Sequence, residues 1–180
     1  MVTIKTTRAA GERSTFSVRK LVALQENYHV RSVALLLARL ALASVFMYHG
    51  AGKLFGFKNQ GGIAGTTAFF NSQGIPLPHI FAYLGGITEF FGGLALLIGL
   101  AVPLAGLALT IDMLLALLIA TINIGMLNRA LPGGIVADGM QINLALGSAA
   151  LLLAALGAGR FSIDYVLGLA WRPTQHVINQ

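Results

Sequence analysis

Four apolar runs, each near the roughly 20 residues that carry a helix across a bilayer, limit what this chain can fold into. They lie at about 32–50, 79–100, 104–122 and 140–156. Backbone inside lipid must satisfy its own hydrogen bonds, and segments of this length do so as helices. Only 10% of the 180 residues are charged while 56% are hydrophobic, and the mean hydropathy is +0.78. A soluble domain would carry about 25% charge to clothe its core, so lipid must cover much of this surface. The expected fold is an all-α membrane protein with four transmembrane helices in an antiparallel bundle and a short C-terminal interfacial helix.

Organisation follows from the spacing of these runs. Residues 1–31 form a basic tail, 32–159 the transmembrane domain, and 160–180 an interfacial segment. A connection of about 28 residues separates the first two runs, long enough to be a functional element, whereas Ala101 to Pro103 leaves only a tight turn between the second and third. The third and fourth are joined by NIGMLNRALPGGIVADG, which glycine and proline punctuate as loop. Gly157 and Gly159 suit a helix end, and Ser162 with Asp164 suits the start of the short final helix. Tyr165 and Trp171 fit an aromatic belt, flanked by Arg160 and Arg172.

The net charge of +6 is explained by topology rather than nucleic acid. Lys5, Arg8, Arg13, Arg19, Lys20, Arg31, Arg160 and Arg172 would share one side of a four-crossing protein, against Lys53, Lys58 and Arg129 on the other. The positive-inside rule then places both termini in the cytoplasm. No nucleic-acid motif accompanies the basic tail, and anionic lipid is its expected partner. The polar tail ahead of the first run argues against a cleaved secretory leader. The chain has no cysteine, which excludes disulfides, thiolate-bound clusters and covalent haem within it.

Three ionisable residues fall inside the apolar runs: Arg39, Glu89 and Asp112. Each needs a partner, a cavity or a neutral form, since charge within a crossing costs about 2.5 kcal/mol or more. Counting the helical rise from the segment ends puts Arg39 and Asp112 roughly 10 and 12 Å from the cytoplasmic edge and Glu89 roughly 15 Å from the outer one. These depths predict Arg39 buried against Glu89, Asp112 or both. Such a cluster either fixes only how the helices pair or serves proton and ligand chemistry, for instance proton exchange between a carboxyl group and a quinone-like carrier.

Helical periodicity supports burial of this cluster. Gly85, Gly86, Gly92 and Gly93 stand three and four residues from Glu89, a bare stripe that permits close helix approach or leaves room for a ligand. Arg39, Ala43, Phe46, Gly50 and Lys53 share one face of the first helix, and Asp112 shares another with Ala116, Ile119 and Asn123. In YHGAGKLFGF, residues 48–57, the first helix is expected to emerge, with His49 and Lys53 at headgroup depth. His49 and His79 are anchors that could also hydrogen-bond a ligand carbonyl. Neither has a second histidine at helical spacing, so no metal or haem is expected.

RLALASVFMYHGAGKLFGF, PLPHIFAYLGGITEFFGGLALLIGL and GAGRFSID occur in an order that resembles the DoxX family of small bacterial membrane proteins. The likeness spans about Arg39 to Asp164, and its motif positions are Arg39, His49, Lys53 and Glu89. Similar proteins often carry a glutamate near the fourth helix, where this chain offers the neutral Gln141, with Asp138 nearby. The resemblance implies a four-helix bundle in the bacterial cytoplasmic membrane and a link to thiosulfate:quinone oxidoreductase, after whose membrane subunit the family is named. The expected function is a membrane subunit without a redox centre of its own that positions a non-covalent quinone for a partner oxidoreductase. Arg39, His49, Lys53, Glu89 and Asp112 are the candidate site. The alternative is a non-catalytic accessory subunit bracing a larger membrane complex. A small-solute carrier is disfavoured by the lack of an inverted repeat or broken helices.

Overall fold

The structure is a computed structural model that describes residues 27–57, 61–122, 125–127, 129–130, 136–137 and 139–168. The basic tail up to residue 26, Asp138, Trp171 and Arg172 lie outside the described residues. Helix α1 spans Tyr28–Phe55, α2 Gly62–Ser72, α3 Pro78–Ile98, α4 Val102–Leu115, α5 Met140–Leu156 and α6 Ile163–Val166. Between α4 and α5 a two-residue antiparallel pair, β1 (Arg129–Ala130) with β2 (Val136–Ala137), aligns Arg129 with Ala137. Apart from this pair the regular structure of the described residues is helical, and the protein is a helical membrane protein: α1, α3 and α4 with its continuation to Ile119 are long and apolar enough to cross a bilayer, and α5 is a shorter apolar helix.

Helix α1 is longer at both ends than the apolar run that announces it. Asn27 caps its start by accepting a hydrogen bond from the His29 amide at 3.0 Å, and Gly56 ends it at φ 71°. Its 28 residues make about 42 Å of helix, more than the roughly 30 Å hydrocarbon core. The stretch expected to leave the helix at Gly50 therefore stays helical through Lys53. Packing explains this, because Gly50 and Gly52 are both buried and a helix held by tertiary contacts tolerates glycines that an isolated one would not.

The antiparallel register of α1 on α3 is readable from the glycines. A Cβ on Gly93 would stand 2.9 Å from Met47 Cγ and 3.2 Å from the Ala43 carbonyl; one on Gly86 would stand 2.8 Å from Leu54 Cδ2. A Cβ on Gly50 would overlap the backbone nitrogen of Phe90. Backbones this close need glycine, as small-residue motifs in membranes do. Gly50→Ala is accordingly expected to cost about 1–3 kcal/mol through overpacking, read as a lower melting temperature in detergent. An unchanged melt would show that the two helices separate freely there.

Helix α3 begins with Leu77 in the left-handed region (φ 51°) and Pro78 in its first turn. A turn at Gly99–Ala101 reverses the chain into α4, which packs antiparallel on α5 where Gly106 meets Ala150 and Ala154 and Gly147 meets Met113. The last turn of α4 widens into a π-helical stretch at Ala116–Ala120, closed by the Thr121 amide on the Ala116 carbonyl at 3.0 Å. Ala43, Phe46, Leu96, Val102, Leu109, Met113, Ala150 and Leu153 form the shared core. Leu37, Leu104 and Leu152 are among the large apolar side chains turned outward, as a lipid-facing surface requires.

The long connection after α1 is not a plain loop. Its segment Gly62–Ser72 folds as α2 and packs on both α1 and α3. Thr66 is buried there, its hydroxyl returned to the Gly62 carbonyl at 2.9 Å. The expected terminal helix is a single turn: Ser162 Oγ accepts from the Tyr165 amide at 3.1 Å, and Arg160 lies over the rings of Tyr28 and Tyr165.

Candidate functional site

The intramembrane charges divide into two groups, and Arg39 is in neither of the pairs expected for it. Its guanidinium is 1% exposed and donates to carbonyls: Nε to Leu96 at 2.9 Å, Nη1 to Ala158 at 2.6 Å and Phe161 at 2.9 Å, and Nη2 to Leu97 at 3.4 Å. Those of Leu96 and Leu97 lie at the C-terminal end of α3, where a cation suits the helix dipole, and that of Leu96 also accepts from the Gly99 amide at 3.2 Å. The opposing charge is that of Asp164, a residue read from the sequence as a helix starter and as the last position of GAGRFSID. Asp164 accepts from the amides of Ala101 at 2.6 Å and Val102 at 2.9 Å, capping α4, while its own amide donates to Gly99. Gly99 has φ +71°, and a Cβ there would meet Ser162 at 2.5 Å and Arg39 Nη2 at 2.7 Å. Arg39, Gly99, Ser162 and Asp164 are thus a clamp that ties the α3–α4 turn to the segment after α5.

Register, not depth, separates Arg39 from the carboxylates. With Gly50 beside Phe90 and Met47 beside Gly93, the residue of α1 that reaches Glu89 comes from its last turn. That residue is Lys53, whose Nζ lies 2.7 Å from Glu89 Oε1. Arg39 sits about 21 Å further along the same helix. Lys53 therefore turns its ammonium group toward α3, with its side chain 25% exposed.

Asp112 completes the second group from α4. It interacts electrostatically with both Glu89 and Lys53. A Cβ on Gly85 would lie 3.5 Å from Asp112 Oδ1 and 4.0 Å from Lys53 Nζ, so the bare backbone of α3 lets the two approach from either side. Glu89 is 3% exposed, and Glu89 Oε2 and Asp112 Oδ2 are both buried with no hydrogen-bond partner among the described residues. One lysine balances one carboxylate, so the electroneutral form of this trio carries one carboxyl proton.

Lys53, Gly85, Thr88 and Asp112 make the polar part of the wall of a cavity of about 340 Å³. Phe70 and Ile75, from α2 and the turn after it, close one part of the wall, with Phe81 and Leu84 of α3 and Ile111 and Leu115 of α4 around the rest. Ala116 and Ile119, in the π-helical stretch, also line it, and such bulges are frequent at functional sites. A mostly apolar chamber with a few convergent polar groups is the usual form of a small-molecule site. The aromatic contribution of the long connection, Phe70, and the part played by Thr88 and Ile75 have no periodic signal in the sequence.

The remaining candidates lie apart. His49 is half-buried edge-on to Tyr48, with ring centroids 5.5 Å apart, and does not line the cavity. His79 Nδ1 lies 3.3 Å from Thr67 Oγ1, with its ring edge-on to Tyr83. Gly86 and Gly93 seat α1, while Gly92 seats Leu109 of α4 at 3.0 Å. Gln141 is exposed in the first turn of α5. Among the described residues, no group of three or more histidine, aspartate or glutamate side chains gathers where a metal ion could be held.

A helical membrane protein with a buried glutamate paired to a partly buried lysine, and an aspartate beside them on the wall of an apolar chamber, is the class that this fold and site define. Residues 34–122 match the DoxX family model, a span that contains Arg39, Lys53, Glu89, Asp112 and α2. The chain is 30% identical over 146 residues to Inner membrane protein YqjF of Escherichia coli (strain K12), an alignment covering 79% of this chain and 98% of that protein. It belongs to the DoxX family. No solved structure matches it.

Proposed function

We propose that this protein is a multi-pass inner-membrane subunit that positions a quinone for a partner oxidoreductase, the quinone lying in the chamber beside Lys53 and Asp112. The observation that carries this function is an apolar cavity of about 340 Å³ lined by Lys53 and by Asp112, whose Oδ2 is buried with no hydrogen-bond partner among the described residues, as is Oε2 of Glu89 behind Lys53. An unmet acceptor inside a membrane protein is costly unless a ligand or proton satisfies it. In this proposal α1, α3, α4 and α5 all cross the membrane as an antiparallel bundle with both termini cytoplasmic, in keeping with the basic ends of the chain. The inner-membrane location accords with the name of the Escherichia coli relative.

The trio divides the work by chemistry. Lys53, held by Glu89 at 2.7 Å, presents N–H donors to a ligand carbonyl. Asp112 lines the cavity, and its carboxyl group is placed to hold a proton or pass it to a ligand oxygen. Phe81, Leu84, Ile111 and Leu115 exclude water and receive the apolar part of the ligand. A bound quinone supplies the electron-accepting chemistry that a cysteine-free chain does not provide through thiolate-held centres. The electron donor is a protein partner in the membrane complex.

Solvent extraction of protein purified in mild detergent, followed by ultraviolet absorbance, tests the proposal. Co-purified quinone is expected in the wild type, with retention about tenfold or more weaker in Asp112→Asn, as suits loss of a charge-assisted hydrogen bond worth about 1.5–3 kcal/mol. A stable heteromeric complex with no quinone on this chain would instead identify an accessory subunit.

A further inference from the structure

The four glycines around Glu89 are not equivalent. A Cβ on Gly86, Gly92 or Gly93 would press to 2.8–3.0 Å on Leu54, Leu109 or Met47, so helix packing accounts for all three. At Gly85 the nearest atoms would be Asp112 Oδ1 at 3.5 Å and Lys53 Nζ at 4.0 Å. Those are ordinary contact distances, so packing does not require glycine at position 85. What a side chain there would remove is space, at the polar part of the cavity and one helical turn from the unpartnered Oε2 of Glu89.

We infer that Gly85 is the specificity-determining residue of the site, reserving a seat where one ligand oxygen meets Lys53 Nζ and the Asp112 carboxyl group together. This rests on the proposed quinone site and narrows the ligand class. Lys53 only donates, whereas a carboxylate only accepts. The oxygen that satisfies both in turn is one that exists as carbonyl and as hydroxyl, which a quinone–quinol couple provides and an ether or ester oxygen does not. The rest of the ligand is apolar and comes from the bilayer. Leu84, Ile111 and Leu115 both line the cavity and are 54, 50 and 42% exposed on the apolar exterior, giving a sideways route between α3 and α4.

The experiment compares Gly85→Ala and Gly85→Ser with Gly93→Ala and the wild type, all in full-length protein. Thermal melts are read beside binding of a decyl-tailed benzoquinone, measured by equilibrium dialysis in detergent. Gly85→Ala is expected to melt with the wild type but to bind the quinone at least tenfold more weakly, and Gly85→Ser to bind more weakly again. Gly93→Ala is expected to melt lower, with binding by its folded fraction unchanged. If Gly85→Ala binds as the wild type does, the seat is wrong while the quinone site stands. If it melts as low as Gly93→Ala, Gly85 is a packing residue and the inference fails on that ground. If the wild type binds no quinone, the proposed function falls and takes the seat with it.

Discussion

Replacing Arg39 by leucine is expected to lower stability by about 3–5 kcal/mol, the range for removing one partner of a buried charge network. The guanidinium serves the carbonyls of Leu96, Leu97, Ala158 and Phe161 with its rigid fork of donors. Leucine removes these donors, leaving the Leu96 carbonyl with only the Gly99 amide at 3.2 Å, and each lost bond has a cost of its own. Arg39→Lys keeps the charge but cannot span four acceptors from a single ammonium group, so it should recover only part of the loss. Chemical or thermal unfolding in detergent measures this. Quinone binding by the folded fraction of Arg39→Lys should match the wild type, since the clamp lies about 21 Å along α1 from Lys53. Wild-type stability in Arg39→Leu would mean that the turn at Gly99–Ala101 holds without the clamp.

Lys53→Met should behave differently, affecting both stability and binding. Methionine fills similar space yet leaves Glu89, 3% exposed, without the cation 2.7 Å from its Oε1. A stranded buried charge costs about 3–5 kcal/mol, whereas removing both members of such a pair is often close to neutral. The double variant Lys53→Met with Glu89→Gln is therefore expected to regain most of the lost stability, with a coupling of about 0.5–3 kcal/mol in the cycle. Quinone binding should stay lost in single and double variants alike, because neither restores a donor facing the cavity. Recovery of binding in the double variant would show that Lys53 acts only on Glu89. Additive effects on stability would show that the ion pair contributes nothing.

Much of the architecture was legible because bilayer thickness is a strict ruler. Each apolar run falls on a helix, α1, α3, α4 or α5, though α1 extends beyond its run at both ends and α4 gives way to a π-helical stretch after Leu115, and Gly157 stands at the end of α5, since these signals are local. Helix α2 was not legible: a short segment such as IAGTTAFF becomes a helix only where α1 and α3 offer it a surface. The candidate site was half legible. Glu89, Asp112 and the glycine stripe stand out as charges and bare backbone in apolar sequence, yet the cation assigned to them was Arg39 when the structure supplies Lys53.

The reason is that depth estimates locate a residue along one axis, while pairing depends on register and facing between helices. The amino-acid sequence alone determined that this chain lives in lipid, that ionisable groups are carried into that lipid, and that one face of α3 is bare. Only the tertiary structure decided which cation meets which carboxylate. The contact of Gly50 with Phe90 and of Gly93 with Met47 slides Arg39 to the end of α3 and brings Lys53 to Glu89, an outcome set by backbone close approach between segments far apart in the chain.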